Sequence, residues 1–268
     1  MSARRRIFSW ALARRLTALT FAALLLLGSF TWFPWFKGAP SAATWFGMIP
    51  LVDPLAALES ALAGRSLQST VWIGAGLLIV AALLMGPVFC GWICPLGLLL
   101  DLNQWIRRRV LGRNTRRGWQ APRALRYGVL GLIVGVALVG RIPLYQTLSP
   151  INILGWSLIF GLTPASIVVA AIALAEWFAP RLWCRSLCPP GALYSLIGRF
   201  APLRVRIHPD ESRRPCFQCS RACPMGIAVV EEYTLMGKLA VDDQDCTRCG
   251  DCIDVCPKST LKLGFRGF

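Results

Sequence analysis

The sequence predicts an all-α bundle of four transmembrane helices, made of two duplicated hairpins, over residues 1–200, and a small α+β iron–sulfur domain over residues 201–268. Three observations lead to this prediction. The chain is 55% hydrophobic with a mean hydropathy of +0.54, which is too apolar for an ordinary soluble domain. Its formal charge of +16 is concentrated in arginine clusters between uncharged runs. Its C-terminal region carries closely spaced cysteines.

The first predicted span is the uncharged run from Leu16 to Phe36. This run follows two arginine clusters (residues 4–6 and 14–15), is long enough to cross a bilayer as a helix, and ends in aromatic residues typical of the membrane interface. A cleaved signal peptide is the alternative, because the small residues at 39–43 would suit a cleavage site. We expect an uncleaved helix, since the apolar stretch is long for a signal peptide and the aromatic belt suits an anchor.

The charge of the loops gives the expected topology. Residues 49–62 are expected to form a turn and a short amphipathic helix at the membrane surface. The other spans are expected at Thr70–Phe89, Arg126–Arg141 and Thr163–Trp183. Arginine clusters lie before the first span, between the second and third, and after the fourth. The positive-inside rule then places both termini and all cysteine motifs on the cytoplasmic side of the membrane.

Two short motifs recur along the membrane part. An Ile-Pro-Leu triplet at 49–51 recurs at 142–144, and a C-x3-C-P motif occurs twice, first with Cys90 and Cys94 and then with Cys184 and Cys188. Two copies facing each other would bring the cysteine pairs together around a pseudo-two-fold axis. Cysteines four apart lie on one face of a helix, so each pair would supply half of a four-thiolate metal or redox site. The alternative is that these cysteines are small buried residues at helix ends.

The C-terminal cysteine run has the ligand spacing of a bacterial ferredoxin. Its pattern is C-x2-C-x2-C-x3-C-P, formed by Cys246, Cys249, Cys252 and Cys256. Zinc is the alternative, but zinc sites usually use two separated C-x2-C knuckles rather than one run closed by proline. The fourth cysteine of such a run usually binds a second cluster, so a partner motif is expected. The predicted domain is therefore of the bacterial 2[4Fe–4S] ferredoxin type.

The partner motif lies upstream and is one ligand short. It keeps the last three positions of the pattern as Cys216, Cys219 and Cys223, while Arg213 occupies the first. In such domains the last cysteine of each motif binds the cluster of the other motif, which we call the cross-over rule. It predicts one cluster bound by Cys223, Cys246, Cys249 and Cys252, and a second bound by Cys216, Cys219 and Cys256. The second cluster leaves three possibilities open: a [3Fe–4S] cluster, a cysteine from a C-x3-C-P motif, or a ligand such as His208, Asp210 or Glu211.

Composition argues against several other classes of protein. Eleven cysteines are an odd number, and their tight C-x2-C and C-x3-C groups indicate metal ligands in a reducing compartment rather than disulfides. The single histidine, His208, cannot supply paired axial ligands, so no bis-histidine haem is expected. Nucleic acid is not an expected partner, because the arginines lie between apolar runs instead of on one folded face.

The motifs resemble those of NapH, the membrane ferredoxin-type subunit of the NapGH quinol dehydrogenase, within a wider group that includes MauN, the NosR membrane region and CcoG. The matching stretches are residues 49–55, 89–96 and 183–194 and the two C-terminal cysteine motifs. NapH-like proteins carry four cysteines in the first of these motifs, where this chain has three. The resemblance implies electron transfer at the inner membrane through two [4Fe–4S] clusters.

The resemblance also implies a function. The expected protein is a quinol dehydrogenase subunit that passes electrons from quinol toward a reductase of the periplasmic nitrate reductase type. Its expected partners are the lipid membrane, the quinone pool, and a ferredoxin-type protein similar to NapG or the reductase itself. The alternative is a metal-handling or cofactor-maturation factor, similar to MauN or CcoG, that uses its clusters as a reductant.

Two acidic residues are candidate acceptors of quinol protons. Glu176 lies within the fourth predicted span, and an acid at membrane depth is a candidate for function. The alternative is an interfacial glutamate paired with Arg181 or Arg185. Asp53 is a similar candidate, and the alternative is that it caps the short helix that begins at Pro54.

Overall fold

A computed structural model of the chain describes residues 9–29, 36–39, 42–45, 49–64, 69–111, 121–161, 163–208, 216–257 and 259–265. A helical part extends to residue 198, and a small α+β part begins at residue 203. The helical part contains two successive sets of elements that follow the same order.

The first set consists of α1 (Trp10–Ser29), α2 (Pro54–Leu62), α3 (Ser69–Met85), α4 (Val88–Trp92) and α5 (Pro95–Leu111). The second set consists of α6 (Leu125–Gly140), α7 (Leu144–Leu148), α8 (Pro150–Phe160), α9 (Ser166–Phe178), a π-helical turn (Trp183–Leu187) and α10 (Pro189–Gly198). Each set thus has an apolar helix, a helix that begins with proline, a second apolar helix, a short turn with cysteines, and another helix that begins with proline.

The two sets pack against each other in reciprocal pairs. Helix α5 contacts α1, α8 and α9, and its counterpart α10 contacts α6, α2 and α3. Each of these two helices therefore packs on the first helix of its own set and on two helices of the other set. The same reciprocity relates the contact of α8 with α1 to that of α2 with α6. A pseudo-two-fold arrangement of two similar units produces such pairs.

One helix within the described residues is both long and apolar enough to cross a membrane, at Trp10–Gly28. The other apolar helices are shorter, at Val71–Met85, Leu125–Gly140 and Ser166–Phe178, so length and composition do not confirm the predicted four-span bundle. At about 1.5 Å per residue such helices are roughly 20–25 Å long, against about 30 Å of bilayer hydrocarbon. All four helices expose large apolar side chains, among them Leu24, Ile73, Leu132 and Ile167.

The segment between α1 and α3 corrects the all-α prediction for residues 1–200. A three-stranded antiparallel sheet of β1 (Phe36–Ala39), β2 (Ala42–Trp45) and β3 (Ile49–Val52) lies where loops were expected. Pairing of these strands gives hydrogen-bond partners to the backbone of a long connection. The first predicted span also differs from α1, because α1 begins at Trp10 rather than at Leu16 and Phe36 lies in β1; the other predicted aromatic residues, at 30–35, lie outside the described residues.

Helix α2 is buried within the protein, whereas the sequence predicted a helix at the membrane surface. Leu55 and Glu59 are both 0% exposed. Leu55 packs in a cluster with Leu130 and Ile133 of α6. Glu59 Oε1 accepts the backbone N–H of Tyr145 at 3.0 Å. The expected apolar face is present, but side chains of the second set cover it.

The C-terminal part packs short helical segments against a three-stranded antiparallel sheet. The sheet has the order β5 (Ala240–Val241), β4 (Leu203–Ile207) and β6 (Leu261–Phe265). The helical segments are α11 (Gln218–Ala222), a π-helical turn (Val229–Thr234) and α12 (Asp251–Asp254). The core contains Val205, Ile227, Val241 and Leu261. A small α+β unit at this end of the chain agrees with the prediction.

Polar contacts join the two parts. Asp254 caps the start of α1, because its carboxylate accepts hydrogen bonds from Ser9 Oγ at 2.9 Å and from the backbone N–H groups of Trp10 and Ala11 at 3.0 and 2.9 Å. Arg126, which is 1% exposed, forms an ion pair with Asp245. These contacts fix the position of the C-terminal cysteine loops relative to the helices.

Candidate metal centres

The four cysteines of the first predicted cluster lie around one pocket in the C-terminal part. Cys223, Cys246, Cys249 and Cys252 line it together with apolar side chains that include Ile227 and Val241. Cys256, the last cysteine of the C-terminal run, is not among the lining residues. This is the grouping that the cross-over spacing predicts, and the ligand roles themselves stay a prediction.

The backbone around this pocket directs hydrogen-bond donors at the sulfur atoms. Ile227 donates its N–H to Cys223 Sγ at 3.4 Å, and the N–H groups of Arg248 and Asp251 point at the sulfurs of Cys246 and Cys249. Arg248 and Gly250 adopt positive φ values of 52° and 80°, which fold the loop tightly. Donors of this kind stabilise thiolate ligands, so the pocket fits an iron–sulfur cluster.

The free thiols of this pocket hold their protons strongly. Burial raises the pKa of Cys223 and of Cys246 to about 11, and that of Cys249 to about 12. Only deprotonated thiolates bind iron, so cluster assembly at this pocket must release protons.

The second predicted ligand set is closer to solvent. Cys216 is exposed, Cys219 is buried, and Cys256 is half-buried with its Sγ 3.2 Å from Thr260 Oγ1. Burial raises the pKa of Cys219, and the charges of Cys216 and Cys256 raise it further. His208 is exposed, whereas Asp210, Glu211 and Arg213 lie outside the described residues. The identity of a fourth ligand therefore stays open.

The cysteines of the two C-x3-C-P motifs surround a cavity inside the helical part. Cys90, Cys94, Cys184 and Cys188 all line this central cavity, which has a volume of about 80 Å³. The sequence suggested that the two cysteines of each motif share one helix, but in the structure they do not. Cys90 and Cys184 lie in α4 and in the π-helical turn, whereas Cys94 and Cys188 directly precede α5 and α10. Proline at the first position of the following helix causes this break, because it has no N–H to continue the preceding turn.

Other polar side chains, which the sequence did not single out as functional, line the central cavity. Among them are Asp101, Arg126, Tyr145, Asn152, Arg181 and Tyr194. Arg181 forms an ion pair with Asp101, and Arg14 contacts the same carboxylate at 2.7 Å. A weak signal was available, since Asp101 is the first charged residue after a long uncharged run.

The two candidate proton acceptors have different surroundings. Asp53 lines the central cavity, where its carboxylate faces the phenol of Tyr194. Glu176 is buried but is not among the residues that line this cavity. Its oxygens accept the backbone N–H groups of Arg181 at 2.5 Å and Trp183 at 3.3 Å. Glu176 therefore holds the turn that leads into Cys184.

No three His, Cys, Asp or Glu side chains in the described part of the chain converge where a single metal ion could bind. In a [4Fe–4S] cluster each cysteine binds a different iron atom, so the sulfurs stand further apart than the ligands of one ion.

Matches to family models define the class of protein. A model described as a 4Fe-4S binding domain matches residues 69–114 and 149–208, and a model described as a 4Fe-4S dicluster domain matches residues 213–260. The first covers each C-x3-C-P motif separately, and the second covers the C-terminal cysteine motifs. The chain is an iron–sulfur protein of the ferredoxin type that functions in electron transfer.

Curated relatives narrow this class. The chain is 34% identical to the ferredoxin-type protein NapH of Haemophilus influenzae, over 94% of this chain and 88% of that protein. It is 30% identical to NapH of Escherichia coli over 97% and 91%, and 30% identical to the methylamine utilization ferredoxin-type protein MauN of Methylorubrum extorquens over 98% and 91%. No solved structure matches the chain. The chain belongs to the family of the ferredoxin-type proteins NapH and MauN, which the motifs indicated.

Proposed function

We propose that this protein takes electrons from quinol in the bacterial inner membrane and passes them through its iron–sulfur domain to a partner protein. One observation carries the proposal: the central cavity holds the acid Asp53 and borders directly on the pocket of the first predicted cluster. Met225 and Thr247 line both the cavity and the pocket. A quinol bound beside this cavity, on the side that Asp53 lines, would therefore have a proton acceptor and an electron acceptor close by.

The proposed setting is a membrane crossed by α1, α3, α6 and α9. Their exposed apolar side chains, such as Leu77, Val139 and Leu174, would be unfavourable in water by about 25 cal/mol per Å² of apolar surface. Lipid would cover these side chains, and local thinning of the bilayer accommodates short helices. The arginine distribution supports a topology with both termini and the iron–sulfur domain on the cytoplasmic side.

The iron–sulfur domain would hold two clusters. Cys223, Cys246, Cys249 and Cys252 would bind the first, and Cys216, Cys219 and Cys256 would bind the second. When bound, such clusters accept and release single electrons, over a range of potentials that hydrogen bonds and burial adjust widely. Around the first site, Ile227 and Val241 exclude water, and backbone N–H groups orient the thiolates.

Asp53 would accept a proton from quinol. Oxidation of quinol to quinone releases two electrons and two protons. The carboxylate would take up the two protons in succession, passing the first to water before it accepts the second, while the clusters take up the two electrons one at a time. The phenol of Tyr194 lines the same cavity as this carboxylate. Glu176 is not suited to this role, because its oxygens already bind the N–H groups of Arg181 and Trp183.

A partner protein would receive the electrons at the solvent-facing end of the domain. Cys216 is exposed, so the second site is the one that another protein could approach closely. The similarity to NapH makes a NapG-like ferredoxin, or a reductase of the periplasmic nitrate reductase type, the partner that we propose.

The proposal can be tested with the full-length protein, purified in detergent without oxygen. A short-chain quinol should bleach the visible absorbance of the clusters. Asp53→Asn should slow this reaction roughly 100-fold, a typical effect of losing a general base. Glu176→Gln is the matched control and should react at the wild-type rate. Clusters that dithionite reduces but quinol does not would exclude a quinol donor and favour the metal-handling alternative.

A further inference from the structure

The four cysteines at the central cavity take no part in the two clusters of the iron–sulfur domain. Cys90 and Cys94 belong to the first set of helices, and Cys184 and Cys188 belong to the second. Each stretch matched by the 4Fe-4S binding model contains only one of these pairs, so neither stretch can complete a four-cysteine site alone. We propose that the four cysteines together hold a third [4Fe–4S] cluster, shared between the two sets.

The helices around the cavity favour a negatively charged group inside it. Four helices begin with a proline there, at Pro54, Pro95, Pro150 and Pro189. The residue before each proline lines the cavity: Asp53, Cys94, Ser149 and Cys188. Each helix therefore directs its N-terminal end, with a partial charge of about +0.5, at the same space. A [4Fe–4S] cluster with four thiolates carries about two negative charges, which this field would stabilise.

Local donors would support the thiolates. The backbone N–H groups of Leu96 and Gly97 point at the sulfur of Cys94, and that of Gly191 points at the sulfur of Cys188. One cysteine of each pair thus has backbone donors in the first turn of the helix that follows it, α5 or α10. This is the pattern around the first predicted cluster as well, where backbone N–H groups approach Cys223 and Cys246.

The positions of two buried arginines complete the electrostatic setting. Arg126 and Arg181 are 1% and 6% exposed, and they lie near Cys90 and Cys184 respectively. Each is paired with a carboxylate, on Asp245 and Asp101. The lining of the cavity as a whole contains four arginines and three aspartates, since Arg14, Arg15 and Asp53 line it as well, so its side chains also favour a negatively charged cluster.

The proposed centre lies directly beside the first cluster. A Cβ atom on Gly91 would stand 2.9 Å from the carbonyl oxygen of Thr247, so the two backbones are in contact. Gly91 follows Cys90, and Thr247 follows Cys246. The role of this centre as the entry point for electrons rests on the proposed function, whereas its presence does not depend on the donor.

Iron and acid-labile sulfide in the full-length protein, purified without oxygen, test for the third cluster. Wild type should contain about twelve irons per chain, or about eleven if the second cluster is [3Fe–4S]. Cys90→Ser and Cys184→Ser, one from each set, should each lose about four irons and the same EPR signal after dithionite reduction. Ser195→Ala, at a buried position in the same cavity, is the matched control and should retain all of the iron.

Several results would overturn the proposal. Unchanged iron in both serine variants, or about eight irons or fewer in the wild type, would exclude a third cluster. Loss of iron in only one variant would exclude sharing between the sets. If the variants do not fold, the wild-type iron count decides. Three clusters that quinol cannot reduce would contradict the proposed function alone, whereas two clusters that quinol does reduce would contradict only the third cluster.

Discussion

The guanidinium group of Arg248 occupies the place where a side chain on Gly86 would stand. Gly86 has a φ of +74° and lies between α3 and α4. Arg248 lies between Cys246 and Cys249, and its Nε donates a hydrogen bond to the carbonyl oxygen of Leu203 at 2.5 Å. This contact connects the end of an apolar helix to the loop of the first predicted cluster.

Gly86→Ala should destabilise the protein strongly. The left-handed backbone costs a non-glycine residue about 1–2 kcal/mol, and displacing Arg248 costs about 1–3 kcal/mol more. Gly76→Ala within α3 is the matched control, because nothing lies within 4 Å of the added methyl group. We expect this control to be neutral or more stable by up to about 1 kcal/mol. Thermal unfolding in detergent, followed by cluster absorbance, would compare them, and equal midpoints would contradict the role of Gly86.

The cross-over grouping predicts that alanine variants of Cys223 and Cys256, which each precede a proline, lose different EPR signals. Cys223→Ala should remove the same EPR signal as Cys249→Ala, because both cysteines line the pocket of the first cluster. Cys256→Ala should remove the other signal of the domain and leave the first in place. Low-temperature EPR of the reduced proteins distinguishes the signals. If Cys256→Ala and Cys249→Ala removed the same signal, the C-terminal run would bind one cluster by itself.

Arg126→Met should destabilise the protein by about 3–5 kcal/mol, because it leaves the buried carboxylate of Asp245 without its main partner. Asp245→Asn in the Arg126→Met background should recover part of this loss, since a neutral amide is less costly to bury than an unpaired charge. A double-mutant cycle on denaturant unfolding measures the interaction. Additive effects of the two substitutions would show that the ion pair does not hold the two parts together.

Asp254→Ala should loosen the start of α1, because three hydrogen bonds to the carboxylate are lost. The expected cost is about 1–2 kcal/mol, the upper range for an N-terminal cap. Hydrogen exchange at the amides of Trp10 and Ala11 should become faster. Asp254→Asn keeps an acceptor oxygen and should change exchange much less. Wild-type exchange rates in the alanine variant would rule out this capping role.

The sequence predicts the elements that depend on local pattern and fails for those that depend on packing. The C-terminal α+β unit follows from the spacing of Cys246 to Cys256, and α1 follows from an uncharged run next to arginines. The strands β1 to β3 have no comparable signal, because each has only four residues and their pairing depends on how the connection folds back. The sequence of α2, which contains Leu55 and Glu59, does not show whether its apolar face is covered by lipid or by α6 and α7.

The candidate sites also include a part that the sequence predicts and a part that depends on tertiary packing. The grouping of Cys223 with Cys246 follows from known ligand spacing, whereas Arg181, Asp101 and Tyr194 reach the central cavity only through tertiary packing. Single arginines in a basic chain of this kind give no sequence signal, since many others lie in loops. The position of Glu176 on an apolar helix suggested a role in proton transfer, but its oxygens bind the turn before Cys184.

The two sets of helices have the same order of elements, but the functional side chains at corresponding positions differ. Asp53 precedes the proline of α2, and at the corresponding position before α8 the chain has Ser149. A hydroxyl group cannot take over the role of a carboxylate as a base near neutral pH. The C-terminal cysteine loop likewise lies against α4 through Gly91 and Thr247. In the proposed reaction, protons would leave the donor toward Asp53 and electrons toward the C-terminal cysteine loop, so a nearly symmetric pair of helical sets would carry a reaction that runs in one direction.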